Sequence, residues 1–251
     1  EAKSPTIVFL DDLGQGAAAV QKAYMQLILA RRINGHMVSD QVVFVAATNR
    51  REDKAGVTGI LEPVKSRFKS ILHLEVNAKD WIEWALENDV HMGVVGWIHY
   101  QPNMLTAGKP TNDIVNHPCP RTVTNASDLL KADMGSHAEL SGALGEVGAA
   151  SLRGFLNVYE NLPDLDTILD NPDSAIIPDE PSALYATAMA LVERANKSNA
   201  NNIFRYIGRW QGTFADVAAY LVEDMRVKHP ETSSTSGYIQ WITDHADMYS
   251  N

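Results

Sequence analysis

The stretch Thr-Ile-Val-Phe-Leu-Asp-Asp, at residues 6–12, decides the fold of the first part of the chain. Its apolar run is short, continuous and rich in β-branched residues, which is typical of a strand covered on both faces in a parallel sheet. Two acids, Asp11 and Asp12, follow at once. We therefore expect their carboxylates at the carboxyl edge of the sheet, where folds of this type bind ligands.

An acidic pair after a strand has two interpretations. In phosphoryl-transfer sites the first acid helps to hold Mg²⁺, and the second can orient or deprotonate a water molecule. Asp is also common where a strand turns into a helix, so Asp11 and Asp12 could simply begin a turn. Taken alone, the two residues leave both interpretations open.

A second buried strand is predicted at residues 42–47, and the dipeptide Thr-Asn follows it. If this strand lies beside the first, the Asn49 amide could hydrogen-bond to both a γ-phosphate and the attacking water. The alternative is that Asn49 is an ordinary turn residue. Between the two strands, residues 17–33 have the apolar spacing of a helix, and Asn34-Gly35 is a type I′ hairpin signal.

A third feature is the sequence Leu-Glu-Pro-Val-Lys-Ser-Arg-Phe at residues 61–68, followed by an apolar segment at residues 71–76. We predict a short helix that carries Arg67 and then a third strand. Arg67 could project from the domain surface, or it could be an ordinary solvated side chain. Strand, helix, hairpin, strand, short helix and strand together predict an α/β unit of βαβ type.

The sequence becomes helical in character after residue 76. Asn77 is a candidate N-cap, and prolines separate the periodic segments that follow. The predicted helical stretches are residues 81–88, 94–101, 125–131, 138–161, 182–196, 202–211, 213–228 and 237–249. Residues 163–181, rich in Asp and Pro, are expected to form a long surface connection. The fold class is thus α/β plus all-α, with an α/β domain at residues 1–76 and a helical region at residues 77–251.

Composition excludes several classes of protein. The 251 residues include 21 Lys and Arg and 31 Asp and Glu, so the formal charge is −10. A chain this acidic is a poor non-specific ligand for nucleic acids or anionic membranes. The only cysteine, Cys119, excludes an internal disulfide framework and a multi-cysteine zinc site. No apolar run approaches the ~20 residues of a membrane-spanning helix, and signal-peptide features are lacking, so we expect a cytoplasmic protein.

The order and spacing of the first three features resemble the second half of the AAA+ ATPase core. In this resemblance Asp11 and Asp12 match the Walker B acids, which implies a metal ligand and a catalytic acid, respectively. Asn49 matches sensor 1, which implies a catalytic residue that also contacts the nucleotide, and Arg67 matches the catalytic arginine finger. Three details resemble the MoxR branch: Phe-Leu-Asp-Asp-Leu at residues 9–13, Val-Gln at residues 20–21 and Ala-Thr-Asn at residues 47–49.

The sequence Pro-Cys-Pro-Arg at residues 118–121 resembles the Pro-x-Pro-Arg element that opens the helical lid in the MoxR branch. The match implies that Arg121 is sensor 2, a nucleotide ligand. Members of this branch are chaperone-like ATPases that are often paired with von Willebrand A-domain proteins. The resemblance therefore implies ATP and Mg²⁺ as cofactors, a homo-oligomeric ring expected to be a hexamer, and ATP-driven remodelling of a partner protein.

The sequence departs from this family pattern at two points. Asp12 stands where the family usually has the longer Glu, and the shorter reach could slow hydrolysis. The sequence contains no Gly-x-x-x-x-Gly-Lys-Ser/Thr motif, the P-loop that makes most of the phosphate contacts in the family. In the family's sheet, the P-loop strand lies between the strands matched by residues 42–47 and 71–76. A vacant slot is therefore expected between these two strands.

Three explanations of the vacant slot are open. The chain could be the C-terminal part of a longer ATPase, it could close the gap with its own residues, or it could borrow a strand from a neighbour. We expect residues 1–251 alone to bind ATP weakly or not at all and to be inactive. The rival interpretation is a non-catalytic interaction module derived from an AAA+ ATPase. A stand-alone Mg²⁺-dependent hydrolase is disfavoured, because no third acid at a sensible position accompanies Asp11 and Asp12.

Overall fold

A computed structural model describes residues 4–50, 59–108, 111, 113–212 and 214–249. The chain forms two compact units. The sheet unit comprises residues 1–75 and 110–114, and the helical unit comprises residues 76–109 and 115–251. The described chain is mostly helical, and its parallel sheet has two strands.

The sheet unit is built around one parallel pair of strands. Its elements are β1 (Thr6–Leu10), α1 (Ala18–Ala30), β2 (Arg32–Ile33), β3 (His36–Met37), β4 (Val42–Ala46) and α2 (Glu62–Lys65). In the pairing of β1 with β4, Thr6 lies opposite Val42 and Leu10 lies opposite Ala46. The first two predicted strands are confirmed as neighbours, and a crossover containing α1 joins them, as a parallel pair requires.

The two faces of this sheet differ in burial. Val8, Leu10 and Phe44 lie on one face and are partly buried. The Arg31 guanidinium, just after α1, lies 5.7 Å from the centre of the Phe44 ring, so the α1 side covers this face. The opposite face, called the bare face below, carries four side chains that are 43–71% exposed: Ile7, Phe9, Val43 and Val45. The expectation of strands covered on both faces is therefore wrong for the bare face, whose side chains are in contact with solvent among the described residues.

The predicted hairpin is confirmed at Asn34 and Gly35. The strands β2 and β3 pair antiparallel, with Ile33 opposite His36. Asn34 has a φ of 46° and Gly35 a φ of 84°. A type I′ turn needs positive φ at both central residues, and Asn and Gly adopt it readily.

The third strand predicted at residues 71–76 is wrong. In the described structure these residues lie outside every helix and strand, and they form no hydrogen bond. Leu72 is 88% exposed and Leu74 is 100% exposed. A strand needs a neighbour that accepts and donates main-chain hydrogen bonds, and no described strand supplies one here. The apolar pattern of the segment is therefore not enough to make it a strand.

The described residues of the helical unit form nine α-helices. They are α3 (Ala78–Glu87), α4 (Met92–Tyr100), α5 (Pro120–Lys131), α6 (His137–Glu160), α7 (Leu165–Asp170), α8 (Pro181–Arg194), α9 (Ala200–Ile207), α10 (Phe214–Lys228) and α11 (Ser236–Asp244). The predicted cap of α3 is confirmed, because Asn77 Oδ1 accepts hydrogen bonds from the backbone N–H groups of Lys79 (2.8 Å) and Asp80 (3.3 Å).

Two predictions about the helical unit need correction. The helix predicted from Asn125 begins earlier, at Pro120, whose fixed φ suits the first turn of a helix. The connection predicted at residues 163–181 contains α7, so this prediction is wrong over the helix. Asp164 caps α7 by accepting a hydrogen bond from the backbone N–H of Asp166 (3.0 Å), and Ile168 is buried.

The core of the helical unit lies between α4 and α8. Trp97 of α4 and Met189 of α8 are fully buried. Gly96 allows the close approach, because a Cβ there would lie 2.9 Å from Met189 Cγ. Among the helices in the described ranges, none is long and apolar enough to cross a membrane.

Candidate functional site

The candidate site lies where β1 and β4 end. The backbone N–H of Ala47 donates to the Leu10 carbonyl (3.0 Å), and the N–H of Leu13 donates to the Ala47 carbonyl (3.0 Å). These bonds extend the pairing of the strands past their last residues. The two turns that carry the predicted site residues Asp11, Asp12 and Asn49 are therefore held side by side.

Asp12 and Asn49 are brought into contact at this edge. The Nδ2 group of Asn49 donates a hydrogen bond to Oδ1 of Asp12 (3.3 Å), and both residues are exposed. Asp12 has a φ of 49° and precedes a short 3₁₀ turn at Leu13–Gln15. The amide and the carboxylate share one solvent-facing position, where together they could hold a polar ligand or a water molecule.

Asp11 adds a second carboxylate. Its Oδ1 accepts a hydrogen bond from the backbone N–H of Asp12 (3.1 Å), and the side chain is exposed. Mg²⁺ commonly binds one or two carboxylates and completes its shell with waters and phosphate oxygens. The oxygen donors of Asp11 and Asp12 fit such an ion. No group of three His, Cys, Asp or Glu residues suited to a metal is found in the residues described, so the protein would supply only part of the metal shell.

Thr48 fixes the turn after β1, a role that the sequence analysis missed. Its Oγ1 accepts a hydrogen bond from the backbone N–H of Gly14 (3.2 Å) and donates one to the Asn49 carbonyl (3.2 Å). The hydroxyl therefore connects the turn containing Asp12 to the residue that carries the amide. A threonine between an apolar strand and an asparagine was the available signal for this role.

Gln21 is the second residue that the sequence analysis left without a role. It lies within α1 and is only 1% exposed. Its Nε2 donates to the carbonyls of Gly16 and Gly59 (3.0 Å each), and its Oε1 accepts from the N–H of Leu61 (2.9 Å). Since Leu61 directly precedes α2, one buried amide fixes the start of that helix against α1. The signal in the sequence is a polar amide on the apolar side of a helix.

Arg67 lies just beyond the last residue of α2, Lys65, and not on the helix as predicted. It is partly buried, and its Nη1 donates a hydrogen bond to the carbonyl of Pro63. Its Nε is buried and has no hydrogen-bond partner among the described residues. The guanidinium is thus partly engaged by its own chain.

Arg121 belongs to the helical unit. It lies in the first turn of α5 and is exposed. The capping of this turn involves Thr122, whose Oγ1 accepts from the N–H of Cys119 (2.9 Å). Within the described ranges, the Arg121 guanidinium forms no hydrogen bond or ion pair, so it is free to bind an anion.

Comparison of the chain with protein-family models, curated proteins and solved structures found no match. Function therefore has to be inferred from the geometry of the site.

Proposed function

We propose that the carboxyl edge of the β1–β4 sheet is the magnesium-binding and water-positioning part of an ATPase site of the AAA+ type, in a MoxR-like protein. The observation that carries the proposal is the contact between Asn49 Nδ2 and Asp12 Oδ1 (3.3 Å) at the ends of two adjacent parallel strands. A carboxylate and an amide at this position can act on the same water molecule.

Each residue at the edge has a distinct role in this proposal. Asp11 contributes a ligand to Mg²⁺, and the ion would neutralise charge on the phosphates. Asp12 accepts the proton of a water whose oxygen attacks the γ-phosphorus, while the bond to the bridging oxygen breaks and ADP leaves. Asn49 orients that water and contacts the γ-phosphate. The proposal assigns no phosphate-binding loop to residues 1–251, so we expect these residues alone to be inactive.

The proposed assembly rests on the resemblance to AAA+ ATPases, in which Arg67 matches the arginine finger and Arg121 matches sensor 2. Arg67 would contact the γ-phosphate of a neighbouring subunit, and arginine fingers accelerate comparable reactions by ~10³–10⁵-fold. Arg121 would contact the nucleotide from the helical unit. We propose a cytoplasmic homo-oligomeric ring, a hexamer, in which hydrolysis drives chaperone-like remodelling of a partner protein. A von Willebrand A-domain protein is the proposed companion.

A non-catalytic interaction module is the second candidate. It is favoured by the engagement of Arg67 with Pro63 and by the lack of a P-loop motif in the sequence. In such a module the helices would bind the partner, and the acids would only shape a turn. The two candidates differ in whether the edge binds a divalent cation.

Mn²⁺ is a paramagnetic substitute for Mg²⁺ that tests the metal site directly. In ¹⁵N-labelled protein, we expect Mn²⁺ to broaden the NMR signals of the Asp12 and Gly14 amides and the Asn49 side-chain amide. Binding should be weak, on the order of millimolar, because a few carboxylates alone bind hard divalent cations weakly. Asp11→Asn should remove the broadening.

The matched control is Asp40→Asn. Asp40 is fully exposed and lies just before the amino end of β4. The candidate site lies at the other end of this strand, whose length places it about 17 Å away. This change should leave the broadening intact. If Mn²⁺ broadens no signals at the carboxyl edge, or if Asp11→Asn has no effect, the metal role is wrong and the interaction module is favoured.

A further inference from the structure

The helical unit contains a polar cavity between the start of α4, the turn after α5 and the C-terminal end of α6. Its volume is about 220 Å³. Pockets for drug-sized ligands measure about 300–1,000 Å³, so this cavity suits a smaller molecule. Its lining includes a histidine, an arginine, two acids and two leucines: His91, Arg153, Asp133, Glu160, Leu130 and Leu156.

The end of α6 brings a cation, an anion and an apolar side chain to the same wall of the cavity. Leu156 and Glu160 follow Arg153 by three and seven residues, a spacing that places all three on one face of a helix. Along the axis, the Cα atoms of Arg153 and Glu160 are about 10 Å apart. Both side chains are long and have many rotamers, so their charged ends can approach one small molecule.

Arg153 has spare capacity to bind an anion. Its Nη1 donates a hydrogen bond to the Gly135 carbonyl (2.7 Å), which fixes the guanidinium at the cavity wall. The other N–H groups of this guanidinium form no hydrogen bond or ion pair with the residues that the structure describes. Guanidinium groups bind carboxylates strongly through two parallel N–H groups. Arg153 can therefore hold a carboxylate without releasing Gly135.

His91 adds an uncharged hydrogen-bond donor. Its Nδ1 accepts from the Gly93 N–H (3.1 Å), so the proton of the neutral ring lies on Nε2. Burial lowers the pKa of His91, although the carboxylates of Glu193 and Glu160 oppose this shift, and the ring is uncharged at neutral pH. Nε2 forms no hydrogen bond within the described ranges. It can therefore donate one to a ligand in the cavity.

Asp133 and Glu160 supply negative charge to the same cavity. Both residues are exposed, and neither carboxylate forms a hydrogen bond or ion pair in the described part of the chain. An ammonium group has three donors, and hydrogen bonds between charged groups are about twice as strong as neutral ones. Leu130 and Leu156 offer an apolar surface beside these acids. A ligand that satisfies all of these groups carries a carboxylate, an ammonium group and a short aliphatic body.

We propose that this cavity binds an aliphatic α-amino acid. The ligand carboxylate binds Arg153 and the Nε2–H of His91, the ammonium group faces the two acids, and the aliphatic side chain contacts the two leucines. Since Arg153 is exposed and the ligand is small, we expect a Kd on the order of a millimolar. The site consists of residues of the helical unit alone and does not depend on the proposed ATPase function.

Free L-leucine is the probe, because it carries all three chemical groups. Two analogues each lack one charge: 4-methylpentanoate has no ammonium group, and 3-methylbutylamine has no carboxylate. Binding to the chain of residues 1–251 is measured from the NMR shifts of the Leu130 and Leu156 methyl groups. We expect L-leucine to shift both sets of methyl signals, and each analogue to bind at least about tenfold more weakly.

Two variants separate the contacts of the two charges. Glu160→Gln should weaken L-leucine binding about tenfold but should not weaken binding of 4-methylpentanoate, which has no ammonium group. Arg153→Gln should weaken L-leucine binding similarly without weakening that of 3-methylbutylamine. Glu87→Gln and Lys197→Gln are the matched controls, because both residues are exposed and lie outside the cavity lining. Their affinity for L-leucine should stay within about twofold of wild type.

Three results would overturn the inference: no shift of either leucine's methyl signals, equal affinity for the three compounds, or L-leucine affinities in both charge variants that match the controls. Arg153→Gln also removes the bond to Gly135, so its amide spectrum is recorded to check folding. If that variant is unfolded, Glu160→Gln decides, because the Glu160 carboxylate has no hydrogen bond to lose among the described residues. None of these readouts involves the candidate magnesium site.

Discussion

Replacing Gln21 by Leu should loosen the sheet unit strongly. The substitution keeps similar volume but removes hydrogen bonds to the carbonyls of Gly16 and Gly59 and to the N–H of Leu61. At about 1 kcal/mol for each of the three bonds, the cost is roughly 3 kcal/mol. The start of α2 depends on one of these bonds, so Arg67 should lose its fixed position along with Leu61.

Hydrogen exchange with mass spectrometry measures this effect locally. A loss of roughly 3 kcal/mol predicts about a hundredfold faster exchange in peptides that cover α1 and α2. The matched control is Gln26→Leu, because Gln26 lies on the same helix but is exposed. The reasoning is refuted if Gln21→Leu accelerates exchange by less than about threefold, or by no more than the control does.

Two further predictions concern the helical unit. His99 Nε2 and Asp224 Oδ2 lie 2.7 Å apart, and both side chains are 6% exposed. Asp224→Ala should therefore lower the free energy of unfolding, measured in urea, by about 3 kcal/mol. The double variant His99→Leu/Asp224→Leu should recover part of that loss, and equal losses in the two variants would contradict the prediction. Burial lowers the pKa of His91, whose Nδ1 accepts from the Gly93 N–H (3.1 Å). The imidazole of His91 therefore binds a proton more readily in the unfolded chain than in the folded protein. The stabilisation is fully present above the unfolded pKa, about 6.5, and the free energy of unfolding should fall as the pH is lowered. His91→Asn keeps a cap acceptor and should make this loss of stability between about pH 7 and 5 smaller; an unchanged pH profile would refute the assignment.

The elements that were predictable from the sequence are those fixed by local chemistry. The hairpin follows from the positive φ that Asn34 and Gly35 tolerate, and the start of α3 follows from the side chain of Asn77. The adjacency of β1 and β4 follows from continuous apolar strands that need a crossover. With that adjacency, the contact between Asp12 and Asn49 was also within reach of the sequence.

The features that could not be predicted depend on residues distant in sequence. Residues 71–76 have the apolar pattern of a strand, but pairing requires a free neighbouring edge, which a single-segment pattern does not reveal. The three bonds of Gln21 span segments up to 40 residues apart. Each of these outcomes is decided by tertiary contacts.

The left-handed backbone at Asp12 has a consequence for protein engineering. Asp and Asn tolerate this region because their short side chains bond locally, whereas most other residues lose roughly 1–2 kcal/mol there. A designer who installs Glu at this position to extend the acid toward its target would strain the loop. Relaxing the loop to accommodate Glu would in turn move the carboxylate away from Asn49. The length of the acid and the shape of the loop must therefore be redesigned together.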